Sequence, residues 1–434
     1  MDWRDIPVLI INRNRYASLQ RLIAWLLTAG TRRMIIMDNA SSYEPLLEYY
    51  RSLPPNVVVS RFGQNFGPHA LWRHNVHKTI TTPYIVTDAD LVPAEFCPSD
   101  VIPAMLDVHC RYPDAAKVGP SLRIDNLNER CSNREMVLCW ESRFWHKPIA
   151  RGLFGGAIDT TFALYPPGAE FSRDGRSIRL GYPHLFEHVP WYVDDANPDP
   201  EERFFRDHAS DAFTTWHAQD RQVVLEDTPL FQKYHSRKKI LHLGCGNEYI
   251  PGWINIDVSG RKLDLPFDLN GCRTRQLPLE NDSVDGFYMS HCFEHIGDTL
   301  ALMEELYRVA KNGARIHLRL PYGSSDDALE DPTHVRPYFE SSFVYFAQPA
   351  YSRADYGYGA DWQPESIVLV VNQKLIDSGQ ENAFHMIRTQ RNIVQEMIVE
   401  LAVIKPARGR CFRDLRGGNI RLTSDPRIPP SFST

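Results

Sequence analysis

The sequence predicts an α/β protein made of two doubly wound domains, and three observations carry that expectation. Short apolar runs alternate with helix-like segments twice over, once from Pro7 and again from Lys238, which is the grammar of a parallel sheet flanked by helices. Between the two series, from about Ser172 to Ser236, charged and aromatic residues mix without steady periodicity (DDANPDPEERFFRDHASD), and part of this reads as a connection. The length, 434 residues, exceeds one ordinary core. The expected division is a domain over 1–205, a linker over 206–236, a second domain over 237–410 and a tail over 411–434.

The first domain opens on an apolar strand, Pro7 to Ile11, followed by a helix with Leu19, Leu22, Ile23, Leu26 and Leu27 on one face and Gly30 at its end. Met34 to Met37 form a second strand that stops at Asp38-Asn39. Val57 to Val59 form a third, leading into the Gly-containing loop RFGQNFGPH and a further helix. The fourth, Tyr84-Ile85-Val86, runs into Asp88-Ala89-Asp90. In the second domain KKILHLGCGN begins the series, which continues through WINID, SVDGFYMS and ARIHLRLP. Ser366–Val371 and Ile393–Ile404 close it. In the latter, Met397, Val399, Leu401 and Val403 share one face, a period of two that suits a terminal antiparallel pair.

Composition narrows the class. With 43% hydrophobic and 24% charged residues the chain is of the soluble globular type, and a net charge of −6 gives no global attraction to nucleic acid. The opening MDWRDIPVLIINRNR carries acids early and breaks its apolar run at Asn12-Arg13, unlike a signal peptide. No run approaches the ~18 to 20 apolar residues of an integral membrane segment. The eight cysteines show no CxxC spacing, which suits free thiols and a cytoplasmic location.

Ligands of an open parallel sheet bind beyond the carboxyl ends of its strands. Four strand ends of the first domain are polar: Asn12-Arg13, Asp38-Asn39, Asn65 with Gly67, and Asp88-Ala89-Asp90. Turn chemistry explains a lone D-x-D; four such ends on one edge favour a site. Two carboxylates that close repel, and a cation between them relieves the repulsion. The region resembles the GT-A glycosyltransferases, in particular the family-2-like group, on PVLIINRNR, MDNASS, NFGPHALWRHN and TDADLVP. The resemblance implies a nucleotide-sugar donor, with Asn12, Arg13 and Asp38 cradling the nucleotide and Asp88 on its ribose. It also implies a divalent cation, Mn²⁺ or Mg²⁺, held by Asp90 and by a late histidine, for which His188 in FEHVPWYVD is the candidate. Asp159 in GGAIDTTFALY is the candidate base toward the acceptor hydroxyl, or a strand-end turn residue.

In the second domain, Gly244-Cys245-Gly246 makes a tight turn after a strand, and Asp257 at the next strand's tip is placed to hold a ribose. A dinucleotide fingerprint would need a third glycine where Tyr249 stands. The segment resembles class I S-adenosylmethionine-dependent methyltransferases of a type-11-like branch on LHLGCGN, WINIDVS, LPLENDSVDGFYMSHCFEHI, LYRVAKNGARIHLRLP and DPTHVRPY. That implies S-adenosyl-L-methionine as cofactor, with Gly244, Cys245, Gly246 and Asp257 around it and Asp268 and Leu269 on the adenine side. His242 stands where the family usually has an acid. An alcohol acceptor benefits from a base near neutral pKa, and His291, His295 and His334 are the candidates, with His291 and His334 preferred. HCFEH also spells H-x-x-E-H, a metalloprotease pattern that needs both histidines on one helix face.

The expected function is therefore bifunctional: sugar transfer to a glycan or lipid-linked saccharide acceptor, and O-methylation of a sugar hydroxyl, in surface polysaccharide biosynthesis. The rival reading keeps the methyltransferase and reduces the GT-A domain to glycan binding.

Overall fold

The computed structural model describes residues 2–172, 176–209, 228–352 and 356–432. The chain divides into two compact units, Met1–Phe231 and Gln232–Thr434. Of the linker expected over 206–236, residues 210–227 lie outside the described residues.

In the first unit the strands are β1 (Val8–Asn12), β2 (Met34–Asp38), β3 (Val57–Arg61), β4 (Tyr84–Asp88), β5 (Leu91–Pro93), β6 (Lys117–Leu122), β7 (Pro148–Ala150), β8 (Leu153–Gly155), β9 (Ala163–Tyr165) and β10 (Ser177–His188). Their order is β3-β2-β1-β4-β9-β6-β10-β8-β7, with β5 on β10. Every residue of β1 is buried, which fits its unbroken apolar run. The first helix, Ala17–Ala29, buries Leu19, Leu22, Ile23 and Leu26 and ends where Gly30 turns left-handed at φ 97°.

The sheet is parallel through β3, β2, β1 and β4 and again between β6 and β10, while β9 runs antiparallel to both β4 and β6. The region from Ser172, read in part as a connection, supplies β10, which lies inside the sheet beside β6. Its periodicity is hidden because the pairing skips from Leu180 to Leu185, so Gly181 to His184 form an irregularity within one strand. Residues 200–207 form a helix, and Glu201 accepts hydrogen bonds from the backbone N–H groups of Tyr16 and Ala17 at 3.0 and 2.9 Å. A late carboxylate thus caps the first helix.

The second unit contains β11 (Ile240–Leu243), β12 (Ile254–Asp257), β13 (Leu265–Pro266), β14 (Val284–Ser290), β15 (Ala310–Pro321), β16 (Trp362–Val371), β17 (Val394–Val403) and β18 (Asn419–Thr423). Their order is β13-β12-β11-β14-β15-β17-β16-β18. Strand β17 runs antiparallel between β15 and β16, as its alternation predicts. The stretch from 411, expected as a tail, instead adds β18 parallel to β16 and buries Phe432, which is 8% exposed. The Phe432 ring fills the space above Gly286, where an added Cβ would lie 2.9 Å from it. Phe432→Ala is expected to cost the second unit about 3 kcal/mol. A thermal unfolding curve indistinguishable from the parent's would show that this segment is not docked.

Both sheets have a strand whose neighbours lie on opposite sides in chain order: β1 between β2 and β4, and β11 between β12 and β14. These are topological switch points, where a crevice opens beyond the carboxyl ends of the strands.

Candidate functional site

In the first unit, register places the polar strand ends side by side. Asn12 pairs with Asp38, Asp38 with Arg61, and Ile11 with Asp88. Beyond β4, strand β5 pairs with the end of β10 so that Leu91 faces His188, and the Val189 N–H bonds the Asp90 carbonyl at 2.9 Å. That pairing is what brings His188 to Asp90: its Nε2 lies 3.6 Å from Asp90 Oδ1.

Asp88 is held by Thr160, whose hydroxyl donates to Oδ2 at 2.7 Å. Burial and then the Asp90 charge push the Asp88 carboxyl well above the usual carboxylate range, and the Asp159 charge adds to the shift. Asp90 Oδ1 is buried with no hydrogen-bond partner. Arg15 stands 3.9 Å from Asp90 Oδ2, but its Nη1 is bound to Glu202 at 2.5 Å and its guanidinium lies over the Phe205 ring. Its charge is therefore shared, and the carboxylate pair retains uncompensated negative charge. Burial holds the His188 imidazole below its usual range, against the pull of Asp90, which favours the neutral form that ligates metals. An orphaned buried carboxylate oxygen, a second carboxyl and a neutral imidazole fit a divalent cation.

Asp159 is half-buried, next to Thr160, and acts electrostatically on Asp88, His188 and Tyr165. Asn12 and Asp38, expected on the donor side, are both buried and bonded from within. Asn12 is 1% exposed and bonds Arg15 backbone and the Tyr50 hydroxyl; Asp38 is 0% exposed and accepts from Ser41 N–H, Tyr50 Oη and Arg61 Nε. Both shape the loops beneath the crevice, because a buried polar group must be satisfied from within. Arg13 reaches outward to the carbonyls of Asn39 and His208. Tyr192 donates to the Arg123 carbonyl at 2.7 Å, a core role, while Trp191 packs edge-on against His188. Arg15, Thr160 and Glu202 were not legible as site residues: their partners lie 72 to 187 positions away.

In the second unit, Gly244 and Gly246 adopt φ values of 66° and 52°. An added Cβ on Gly244 would come 2.2 Å from Cys292 Sγ, so the turn touches the segment after β14. Asp257 accepts from Gly246 N–H at 2.8 Å with Oδ2 and from Ser259 N–H at 2.9 Å with Oδ1. Each oxygen retains a second lone pair for a ribose hydroxyl. Cys245 is buried, its thiol pushed up by burial, so it offers a ligand its backbone. Asp268 caps the short turn Leu269–Gly271 through Asn270 N–H, and Leu269 and Leu277 are buried beneath it. His242 is buried against Asn255, Tyr288 and Trp253, and burial lowers its pKa.

The post-β14 segment gathers the expected bases. His291 adopts φ 48° and faces Glu396 at 3.1 Å and Glu294 at 3.6 Å. The Glu294 and Glu396 carboxylates beside it raise its pKa to about 9, so it holds its proton at neutral pH. His295 and His334 stack edge-on with ring centroids 4.7 Å apart, tied together by the Val335 N–H to Glu294 carbonyl bond at 2.8 Å. The H-x-x-E-H spelling does not place His291 and His295 on one helix face: Phe293–His295 is a single 3₁₀ turn and His291 points to Glu396.

Comparison with known proteins agrees with this division. Residues 8–164 match the model of glycosyl transferase family 2, and residues 241–318 match a methyltransferase domain model. The first unit is a GT-A-like domain and the second a methyltransferase domain of Rossmann-like fold. No curated protein matches the chain. Among solved structures, a SAM-dependent methyltransferase from Archaeoglobus fulgidus is 16% identical, with 47% of this chain covering 100% of that one at a TM-score of 0.28. The mannosyltransferase PcManGT from Pyrobaculum calidifontis, in complex with GDP-Man and Mn²⁺, is 14% identical, with 46% of this chain covering 59% of that one at a TM-score of 0.30. The two domain matches support a transferase for glycosyl transfer and methylation, with a sugar donor and a SAM-type methyl donor. No helix among the described residues is long and apolar enough to cross a membrane.

Proposed function

We propose that the first unit transfers a sugar from a nucleotide-sugar donor to a glycan or lipid-linked acceptor, and that the second O-methylates a sugar hydroxyl with S-adenosyl-L-methionine, both in surface polysaccharide biosynthesis. The observation that carries the first half is the buried, unpartnered Asp90 Oδ1 facing His188 beside Asp88. Asp90 and His188 hold the divalent cation, Mn²⁺ or Mg²⁺, which supplies charge neutralisation to a leaving diphosphate. Asp88, fixed by Thr160, takes the donor ribose. Arg13 lies on the nucleotide side, and Asp159 accepts the acceptor proton.

In the second unit the backbone at Gly244 to Gly246 approaches the cofactor, Asp257 holds its ribose, and Asp268 with Leu269 borders the adenine. The sulfonium brings its own leaving group, so the protein's task is to align the acceptor oxygen with the methyl carbon. The acceptor hydroxyl meets the group formed by Glu294, His295 and His334, with His291 as a cationic neighbour. Asp257→Ala is expected to weaken binding of S-adenosylhomocysteine by about 30-fold, because charge-assisted bonds and the Gly246 anchor are lost together. Calorimetric titration checks this.

The internal use of Asn12 and Asp38 favours one rival, a methyltransferase whose GT-A-like domain binds glycan without turning over a nucleotide sugar. One experiment separates the two: calorimetry of the full chain with a panel of nucleoside diphosphates, with and without Mn²⁺, and with S-adenosylhomocysteine. Mn²⁺-dependent binding of one nucleotide supports the bifunctional reading. Homocysteine-adduct binding with no nucleotide response selects the rival.

A further inference from the structure

The carboxylate of Glu294 is the most unusual buried group in the second unit. The residue is 3% exposed, and neither of its oxygens has a hydrogen-bond partner. Buried carboxylates are normally satisfied, and leaving one without a partner is unfavourable. Imidazoles surround it without touching it: His334 Nε2 stands 3.9 Å from Oε1 and His291 Nδ1 stands 3.6 Å away. An ordinary His–Glu ion pair would close to about 2.8 Å. Here a gap remains.

The imidazoles are oriented for another purpose. His295 Nδ1 lies 3.0 Å from the Thr333 hydroxyl, which spends its own proton on Asp331 Oδ1 at 2.6 Å, and 3.2 Å from the Thr333 carbonyl; His334 Nδ1 lies 3.3 Å from the Ala328 carbonyl. A carbonyl only accepts, so each Nδ1 carries the proton and each Nε2 keeps its lone pair. A backbone carbonyl on the far nitrogen is the usual support of a metal-ligating histidine. One ligand atom from each of Glu294, His295 and His334 lies within 4.8 Å of the others. Metal bonds of about 2.1 Å need only a small inward rotation from there.

We propose that Glu294, His295 and His334 form a second metal site, separate from the aspartate pair of the first unit and selective for a divalent transition metal such as Zn²⁺. Two imidazoles and one carboxylate are a borderline donor set that favours zinc over Mg²⁺ or Ca²⁺, and three protein ligands leave a coordination position open. Cys292, two residues before Glu294, packs on the Gly244 turn, so the open position borders the cofactor crevice. Resting on the methyltransferase reading above, that position would take the acceptor hydroxyl and lower its pKa, so that its proton leaves to water, the oxygen bonds the methyl carbon and the sulfur–methyl bond breaks to leave S-adenosylhomocysteine. This assigns His334 to metal ligation and not to general-base catalysis.

The test uses the full chain, stripped with EDTA and titrated with Zn²⁺ alone by calorimetry, in the absence of nucleotide. Zn²⁺ is expected to bind, and Asp90→Ala, which removes the cation site of the first unit, is expected to retain one Zn²⁺ per chain. His295→Ala and His334→Ala are expected to weaken that binding by about 100-fold, and the isosteric Glu294→Gln by about 10-fold. Titration of each variant with S-adenosylhomocysteine reports whether the second unit is intact; Glu294→Gln, which conserves volume, decides the matter if an alanine variant misfolds. Zn²⁺ binding that survives Glu294→Gln and His334→Ala unchanged, or no Zn²⁺ binding by the parent, overturns the site. A parent that takes up Zn²⁺ but no S-adenosylhomocysteine keeps the site and removes the methyltransferase reading.

Discussion

Asp90→Ala is expected to abolish Mn²⁺-dependent nucleotide binding and to reduce sugar transfer by about 10³-fold or more. The substitution removes a buried carboxylate oxygen that no protein group satisfies, together with the anion that faces His188. Arg15 does not replace the lost charge on the cation, since it is itself cationic and committed to Glu202. Thr160→Val should be milder, about 10-fold, because it deprives Asp88 of a single orienting hydrogen bond and leaves both carboxylates in place. Binding of S-adenosylhomocysteine should be unchanged in both variants. Transfer that persists in Asp90→Ala within a few-fold would show that the aspartate pair is turn chemistry after all.

Gly244→Ala should have the largest effect in the second unit. A Cβ there would overlap Cys292 Sγ at 2.2 Å and its Cβ at 2.6 Å, in a left-handed conformation that alanine tolerates poorly. Backbone strain of about 1 to 2 kcal/mol and overpacking of about 1 to 3 kcal/mol add up to a clear drop in melting temperature. The turn must also open, which should weaken S-adenosylhomocysteine binding by about 100-fold. Gly246→Ala is the control: it shares the positive φ but meets nothing within 4 Å, so its stability loss should stay near 1 kcal/mol. Adding Cys292→Gly to Gly244→Ala removes the overlap and should restore part of the stability. Equal losses in the two single variants would mean that the close approach to Cys292 has no energetic role.

The sequence makes the switch-point strands plain because β1, β2, β4 and β14 are short apolar runs ending in polar residues and β11 is one that stops at the Gly244 turn. It also shows the residues that local chemistry marks, such as the aspartate pair and the Gly-Cys-Gly turn. What it hides has one physical origin, pairing at long range. Strand β10 is invisible as a period of two because four of its residues bulge, and its contact with β5 is what delivers His188 to Asp90. The burial of Asn12 and Asp38 depends on Tyr50, which lies on a helix whose packing no motif announces. The Glu294 group is half spelled in HCFEH, but its other member waits on the loop at His334, and local spacing suggests His291 in its place.

The C-terminal strand has a consequence for how the protein is made. Strand β16 contains Ile367 to Val371, five consecutive apolar, mostly β-branched residues. Its outer edge is paired by β18, which a ribosome delivers after every strand it covers. Until residues 419–423 emerge, an apolar strand edge is open to neighbouring nascent chains, a ready template for intermolecular pairing. Chains cut short of residue 419 should therefore be lost to aggregation before their catalytic competence becomes an issue.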